Sequence, residues 1–249
     1  MLTQLIWSAS AALEILLLGR AWKCGLLRRY PLFYGYISYV VAQEFLRFLT
    51  HMWSEHIYLY TYWITEYLGV LAGCLVVLEI YRNALSEYPG AARLARNLLL
   101  FVFAMAFARG LANPAVTHQW LEQASALKVE WVVRTVQGIA ILALVSLFLA
   151  YSIPFGKNLR GILLGYSLFI AGRVICLTFV PEQGHNFWWY TYSATYIAVL
   201  SLWLAHLWSY HPVPKAQSRG NLERDYRVLA AATQRRFRET TGFLRKVRS

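Results

Sequence analysis

Seven ionisable residues sit in stretches too apolar to be ordinary protein surface: Glu44, Arg47, Glu66, Arg109, Glu130, Arg134 and Arg173. A charged side chain in hydrocarbon costs about 2.5 to 3.5 kcal/mol even on a lenient insertion scale, so such groups face a bundle interior, pair, or line water. Their spacing is ordered. Glu44 and Arg47 are one turn apart in AQEFLRFLT, and Glu130, Arg134 and Gln137 form a stripe at i, i+4 and i+7. Glu66 shares a helix face with Gly69 and Gly73, a small-residue surface that lets another helix approach closely. Four arginines against three glutamates leave one guanidinium without a carboxylate when all are ionised. Guanidinium pairs in a planar fork with carboxylate or phosphate, so the expected chemistry is capture of a small anionic or amphiphilic molecule. Tyr62, Trp63, Trp131, Trp189, Tyr192 and Tyr196 are the candidate walls. The same charges would also serve as an internal ion-pair network that locks helices together.

The elements that position these residues follow from composition. The 249-residue chain is 58% hydrophobic and 14% charged, whereas soluble domains carry about a quarter charged residues. Ten Trp, 17 Tyr and 13 Phe suit a protein with many helix ends at membrane interfaces. Seven apolar runs approach the roughly 20 residues needed to cross a bilayer: about 3 to 21, 31 to 50, 57 to 80, 97 to 113, 129 to 152, 160 to 181 and 187 to 209. The first has no basic residue before it and no small-residue cleavage site after it, so it reads as a retained helix. Pro31, Pro114, Pro154 and Pro181 fall near run ends, where a missing N–H is tolerated. The fold class expected is an all-α integral membrane protein, a seven-transmembrane-helix bundle over residues 1 to 211.

Charge sets the orientation. The first, third and fifth connections hold nine basic residues: Arg20, Lys23, Arg28, Arg29, Arg82, Arg93, Arg96, Lys157 and Arg160. The other three hold only Lys128, beside Glu55, Glu122 and Glu182. The positive-inside rule then puts the N-terminus outside and the C-terminus in the cytoplasm, with a bacterial inner membrane as the expected location. Residues 212 to 249 carry ten Lys and Arg against three acids. Leu222, Tyr226, Leu229, Phe237, Leu244 and Val247 recur there near helical spacing. This tail, with Arg224, Arg227, Arg235, Arg236, Arg238, Arg245 and Lys246, is expected to lie as an amphipathic helix on anionic inner-leaflet lipid. It has no motif for nucleic acid, so none is expected as a partner.

On that orientation, helix rise places Glu44 and Arg47 about 6 to 10 Å below the outer surface and Glu66 roughly 13 Å below it. Arg109, Glu130, Arg134 and Arg173 fall in the same outer half, so five helices deliver charge to one layer. Glu14 lies near mid-membrane without a local basic partner; it is read as protonated and hydrogen-bonded, or as part of a proton or ion path. Glu79, three residues before Arg82, reads as an interfacial ion pair.

Several chemistries lack their residues. There is no GxSxG, no HExxH and no histidine pair within a run, which directs the reading away from the common membrane enzymes. His206 is the lone histidine well inside a run. His51, Glu55 and His56 have the wrong spacing to hold a metal on one helix face. Cys24, Cys74 and Cys176 form no CxxC and read as packing residues. The seventh run has no lysine for a retinal Schiff base. No cofactor is expected. Three function classes remain: a binding protein (sensor or carrier) using the outer Arg/Glu layer, an accessory subunit packed against other membrane subunits, and an enzyme acting on lipids.

Overall fold

The computed structural model describes residues 2–111, 123–151, 156–183, 185–211 and 228. The seven basic residues singled out in the tail, Arg224 to Lys246, lie outside the described residues, as does the Trp189 side chain. Among the described residues there is no strand, and seven helices of 22 residues or more follow in order. They are α1 (Leu2–Lys23), α2 (Pro31–Trp53), α3 (Glu55–Ala84), α4 (Pro89–Leu111), α5 (Gln123–Tyr151), α6 (Lys157–Gln183) and α7 (His185–His206).

Five segments are long and apolar enough to cross a membrane: Leu5–Lys23, Glu55–Ala84, Pro89–Gly110, Leu127–Ala150 and Lys157–Phe179. The described residues are therefore helical, with the make-up of a membrane protein. Helices α2 and α7 match expected runs but fall short of that apolarity. They carry Tyr34, Tyr36, Tyr39, Gln43, Glu44 and Arg47, and Tyr192 and Tyr196, and it is these polar residues that supply much of the bundle's interior chemistry.

Local signals explain the helix boundaries. Pro31 opens α2, where its missing N–H is one of the unpaired donors anyway. The next two N–H groups, of Leu32 and Phe33, donate to the two carboxylate oxygens of Glu79 at 3.0 and 2.7 Å. Glu79 is thus a cap supplied from α3 to the N-terminus of α2, not the partner of Arg82 expected from sequence. The reason is burial: Glu79 is 4% exposed, and two oriented N–H groups at the positive end of a helix satisfy it there. One extended residue, Ser54, separates α2 from α3. Gly25, at φ 69°, makes the left-handed turn after α1 that leads into a single helical turn at Leu26–Arg29.

Side-chain pairs give the helix directions. Tyr39 reaches Thr65 while Phe33 reaches Glu79, so α2 and α3 run antiparallel. Gly161, Gly165 and Gly172 of α6 lie against His206, Trp203 and Thr195 of α7, again antiparallel. Two neighbouring pairs run parallel instead. Glu14 and Arg20 of α1 meet Tyr196 and Trp208, and Val70 and Tyr81 of α3 meet Gln137 and Ala140 of α5. Helices α1, α2, α3, α5, α6 and α7 thus form a ring, α3 touches α6 across it, and α4 packs outside against α3 and α5.

One end of the bundle is tied by polar contacts and carries the basic residues. Arg20 donates to the Trp208 carbonyl at 2.7 Å and lies 4.2 Å over its ring. Asn158, fully buried, donates to the carbonyls of His206 and Ser209 and accepts from His211 N–H at 2.6 Å. These bonds satisfy carbonyls that the end of α7 leaves unpaired.

The α6–α7 contact admits no extra atoms at Gly165. A β-carbon there would overlap the indole of Trp203, which is fully buried and donates to the Ile162 carbonyl at 3.4 Å. Gly165→Ala should therefore lower stability by about 1 to 3 kcal/mol, the range for overpacking. Gly19→Ala, with nothing within 4 Å of the added carbon, should leave it unchanged or higher. Thermal unfolding in detergent compares the two.

Candidate functional site

The charged layer is a linear network across four helices. Arg47 of α2 turns to α3, where Nη2 lies 3.0 Å from Glu66 Oε2, Nε donates to Thr65 Oγ1 at 2.8 Å, and Nη2 donates to the Tyr62 carbonyl at 3.2 Å. Glu66 in turn meets Arg173 Nη2 of α6 at 3.5 Å. Arg173 forks onto Glu130 of α5, donating from Nε to Oε1 at 2.6 Å and from Nη2 to Oε2 at 2.7 Å. Glu130 Oε1 also lies 3.6 Å from Arg134 Nε on its own helix. The order is Arg47, Glu66, Arg173, Glu130, Arg134, with three guanidiniums to two carboxylates.

Each guanidinium lies over an aromatic ring: Arg47 over Tyr62 at 4.2 Å, Arg173 over Tyr192 at 4.7 Å, and Arg134 over Phe169 at 5.1 Å. Stacking of this kind is favourable when desolvated and leaves the guanidinium edge for hydrogen bonds. Arg134 also donates to Gln137 Oε1 at 3.3 Å, and Gln137 Nε2 donates to the Val70 carbonyl at 3.2 Å. Gly73 is what admits them. A β-carbon on Gly73 would fall 2.5 Å from Tyr166 Oη and 2.8 Å from Arg134 Nη1. The Glu66–Gly69–Gly73 face therefore accommodates polar side chains of α5 and α6, where the sequence suggested close approach of a helix.

Exposure falls along the network. Side chains of Arg47, Glu66 and Arg173 are 15 to 17% exposed, whereas Arg134 and Glu130 are 3% and 1%. The accessible part fronts a cavity of about 170 Å³ lined by Tyr36, Val40, Gln43, Glu44, Arg47, Tyr62, Glu66, Gly69, Arg134, Phe169, Arg173, Tyr192 and Tyr196. It sits within the ring, in the half away from the basic end.

Five of the seven sequence-selected charges join this network, and Glu44 lines the same cavity without an ion pair inside 4.0 Å among the described residues. The i, i+3 pairing expected between Glu44 and Arg47 is replaced by the reach of Arg47 to α3. Arg109 does not join. It is exposed in the last turn of α4, outside the ring, because depth along a helix does not fix which way a residue faces. Its loss changes the count: the six charges that remain are three arginines and three glutamates, so the surplus expected over the whole set is gone, and only the connected network taken without Glu44 has more guanidiniums than carboxylates.

Of the expected walls, Tyr62, Tyr192 and Tyr196 line the cavity. Trp63 is buried behind Tyr62, ring centroids 4.7 Å apart. Trp131 is 42% exposed and donates to Thr178 Oγ1 at 3.1 Å, away from the cavity. Trp189 lies outside the described side chains. His51 and His56 rest against Tyr58 and Tyr60, and no metal-binding group of three His, Cys, Asp or Glu occurs among the described residues. Sequence reading missed Gln43, Tyr36 and Thr65. Gln43 and Thr65 each adjoin a flagged glutamate, a signal that was available; Tyr36 looked like any aromatic of an apolar run.

The exposure gradient predicts unequal consequences of breaking the network. Glu130→Gln leaves the buried Arg134 without its carboxylate and takes from Arg173 the charge on which its fork closes, so it should cost about 3 to 5 kcal/mol, the range for removing one partner of a buried pair. Arg47→Gln removes a partly wet group and should cost less than half as much. Thermal unfolding of the two variants in one detergent is the measurement. Comparison with protein-family models, with curated proteins and with solved structures finds no match for this chain.

Proposed function

We propose that this protein is a seven-span membrane protein, with its N-terminus outside and its C-terminus in the cytoplasm of a bacterial inner membrane. In this reading it binds a small anionic or amphiphilic molecule in the Arg-lined cavity, as a sensor or carrier. The observation that carries the reading is that Arg47 and Arg173 are both partly open to one cavity and belong to a network with more guanidiniums than carboxylates. Guanidiniums held by stacking and carboxylate contacts are preorganised, so an entering oxyanion meets donors already in place. The cavity, about 170 Å³, is smaller than the several hundred Å³ of a drug-sized site. It suits a carboxylate or phosphate group with a few attached carbons, or the headgroup of an amphiphile whose tail remains among the helices. Glu44 on the wall opposes an anion, which favours ligands that also bring a hydrogen-bond donor or a balancing positive group.

A second reading is an accessory subunit in which the same charges act only as a lock. The doubly bonded Arg173–Glu130 pair favours it, because that pair needs no ligand to be satisfied. One experiment separates the two: thermal shift of the purified protein against a panel of short-chain carboxylates, alkyl phosphates and lysolipids. Binding predicts stabilisation by at least one class, lost in Arg47→Gln and kept in Arg109→Gln. It also predicts several-fold tighter binding in Glu44→Gln, since one repulsive charge is removed. No shift with any class, together with stoichiometric co-purifying membrane proteins, would favour the lock.

Topology has its own test. Reporter fusions after residues 55, 122 and 184 should report the outside, and those after 26, 90 and 157 the cytoplasm. Reversal at one internal position would remove the basis for an outward-facing cavity.

A further inference from the structure

One titratable group is used by neither the network nor the helix caps. Glu14, in the middle of α1, is fully buried. Its Oε1 accepts a hydrogen bond from Tyr196 Oη at 2.5 Å, and its Oε2 has no hydrogen-bond partner among the described residues. No Lys, Arg or His lies within 4.0 Å of it among those residues. The groups that face it are Glu44 from α2, a like charge, and Tyr196 from α7. Tyr196 faces Tyr36 of α2 and Tyr192 of α7 in turn. An ionised carboxylate in such a place would have one donor, no counter-charge and a neighbouring acid, which is the setting in which a carboxyl binds a proton.

The second observation is where Tyr196 stands. Glu14 is absent from the cavity lining, whereas Tyr196 and Glu44 are both on it. Tyr196 therefore touches both: its hydroxyl is bonded to the buried carboxyl, and the residue is part of the cavity wall. A hydroxyl so placed can relay a proton. Its O–H proton passes to the ionised Glu14 Oε1 as the phenol oxygen takes a proton from a hydronium ion in the cavity, which is left as water, and the reverse returns the proton to water. Glu14 ends protonated, Tyr196 is again a neutral phenol, and one hydronium has become water.

We propose that Glu14 is a proton-exchange site of the bundle, reached from the cavity through the Tyr196 hydroxyl. It does not depend on the anion reading, because a proton is its only ligand. Should both hold, the cavity would handle an anion and a proton from adjoining walls.

The test uses the full-length protein in lipid nanodiscs and infrared difference spectra across an acid-to-alkaline titration. A protonated-carboxyl C=O band should titrate in the native protein, vanish in Glu14→Gln and persist in Glu14→Asp. Tyr196→Phe should move that band to higher frequency, since it removes the hydrogen bond, and should slow its shift in heavy water by roughly tenfold or more, as expected when a positioned proton relay is removed. If Glu14→Gln does not fold, Tyr196→Phe, which keeps the ring, decides alone. Three results would overturn the proposal: a band unchanged in Glu14→Gln, a band whose exchange is unchanged in Tyr196→Phe, and a band that responds to sodium at constant pH, which would mark a metal-cation site.

Discussion

The carboxylate of Glu130 is the point on which the interior depends. It takes both donors of the Arg173 fork and stands beside Arg134, so α5 and α6 are joined by charge around a carboxylate that is itself 1% exposed. Charges in hydrocarbon are stable only as a set, and each further member follows from that. Arg173 carries the link to Glu66 on α3, and Glu66 carries it to Arg47 on α2. Apolar packing between helices supplies little specificity in lipid, because the lipid tails are equally apolar. The network supplies it by fixing which helices are neighbours and at what level.

The opposite end is organised by a different means. There the backbone's own unpaired groups are the problem, and polar side chains from neighbouring helices answer it: the buried Glu79 at the start of α2, and the buried Asn158 with the half-buried Arg20 near the end of α7. Between the two ends, glycines of α6 receive side chains of α7, and large aromatics such as Trp203, Tyr34 and Tyr166 fill the interior. The capped end and the polar, partly hollow end are thus separate constructions on the same helices.

Much of this was legible in the sequence, and what was not has physical reasons. Periodicity revealed the Glu130–Arg134–Gln137 stripe and the Glu66–Gly69–Gly73 face because both are local to one helix. The existence of a charged layer followed from counting residues along apolar runs. Facing did not follow: Arg109 has the right depth but sits on a helix outside the ring, and no local pattern reports that. Local sequence points Glu79 to its neighbour Arg82, because a helix start 47 residues away leaves no trace there. Trp131 and Trp63 are amphipathic rings near the layer, and only packing separates them from Tyr62 and Tyr192.

The parallel course of α3 and α5 has a consequence for α4. Two helices that run side by side in the same direction cannot be joined by a turn, so the chain must make a full return passage between them. Helix α4 is that passage, a crossover in the sense familiar from parallel sheets. It contributes no residue to the cavity wall, and its duty is geometric: to deliver α5 at the same end as α3, so that Glu66 and Glu130 arrive at one level on neighbouring helices. Selection on such a segment acts on length and greasiness more than on residue identity. Sequence drift should accordingly concentrate there, while the six ring helices stay constrained by one another.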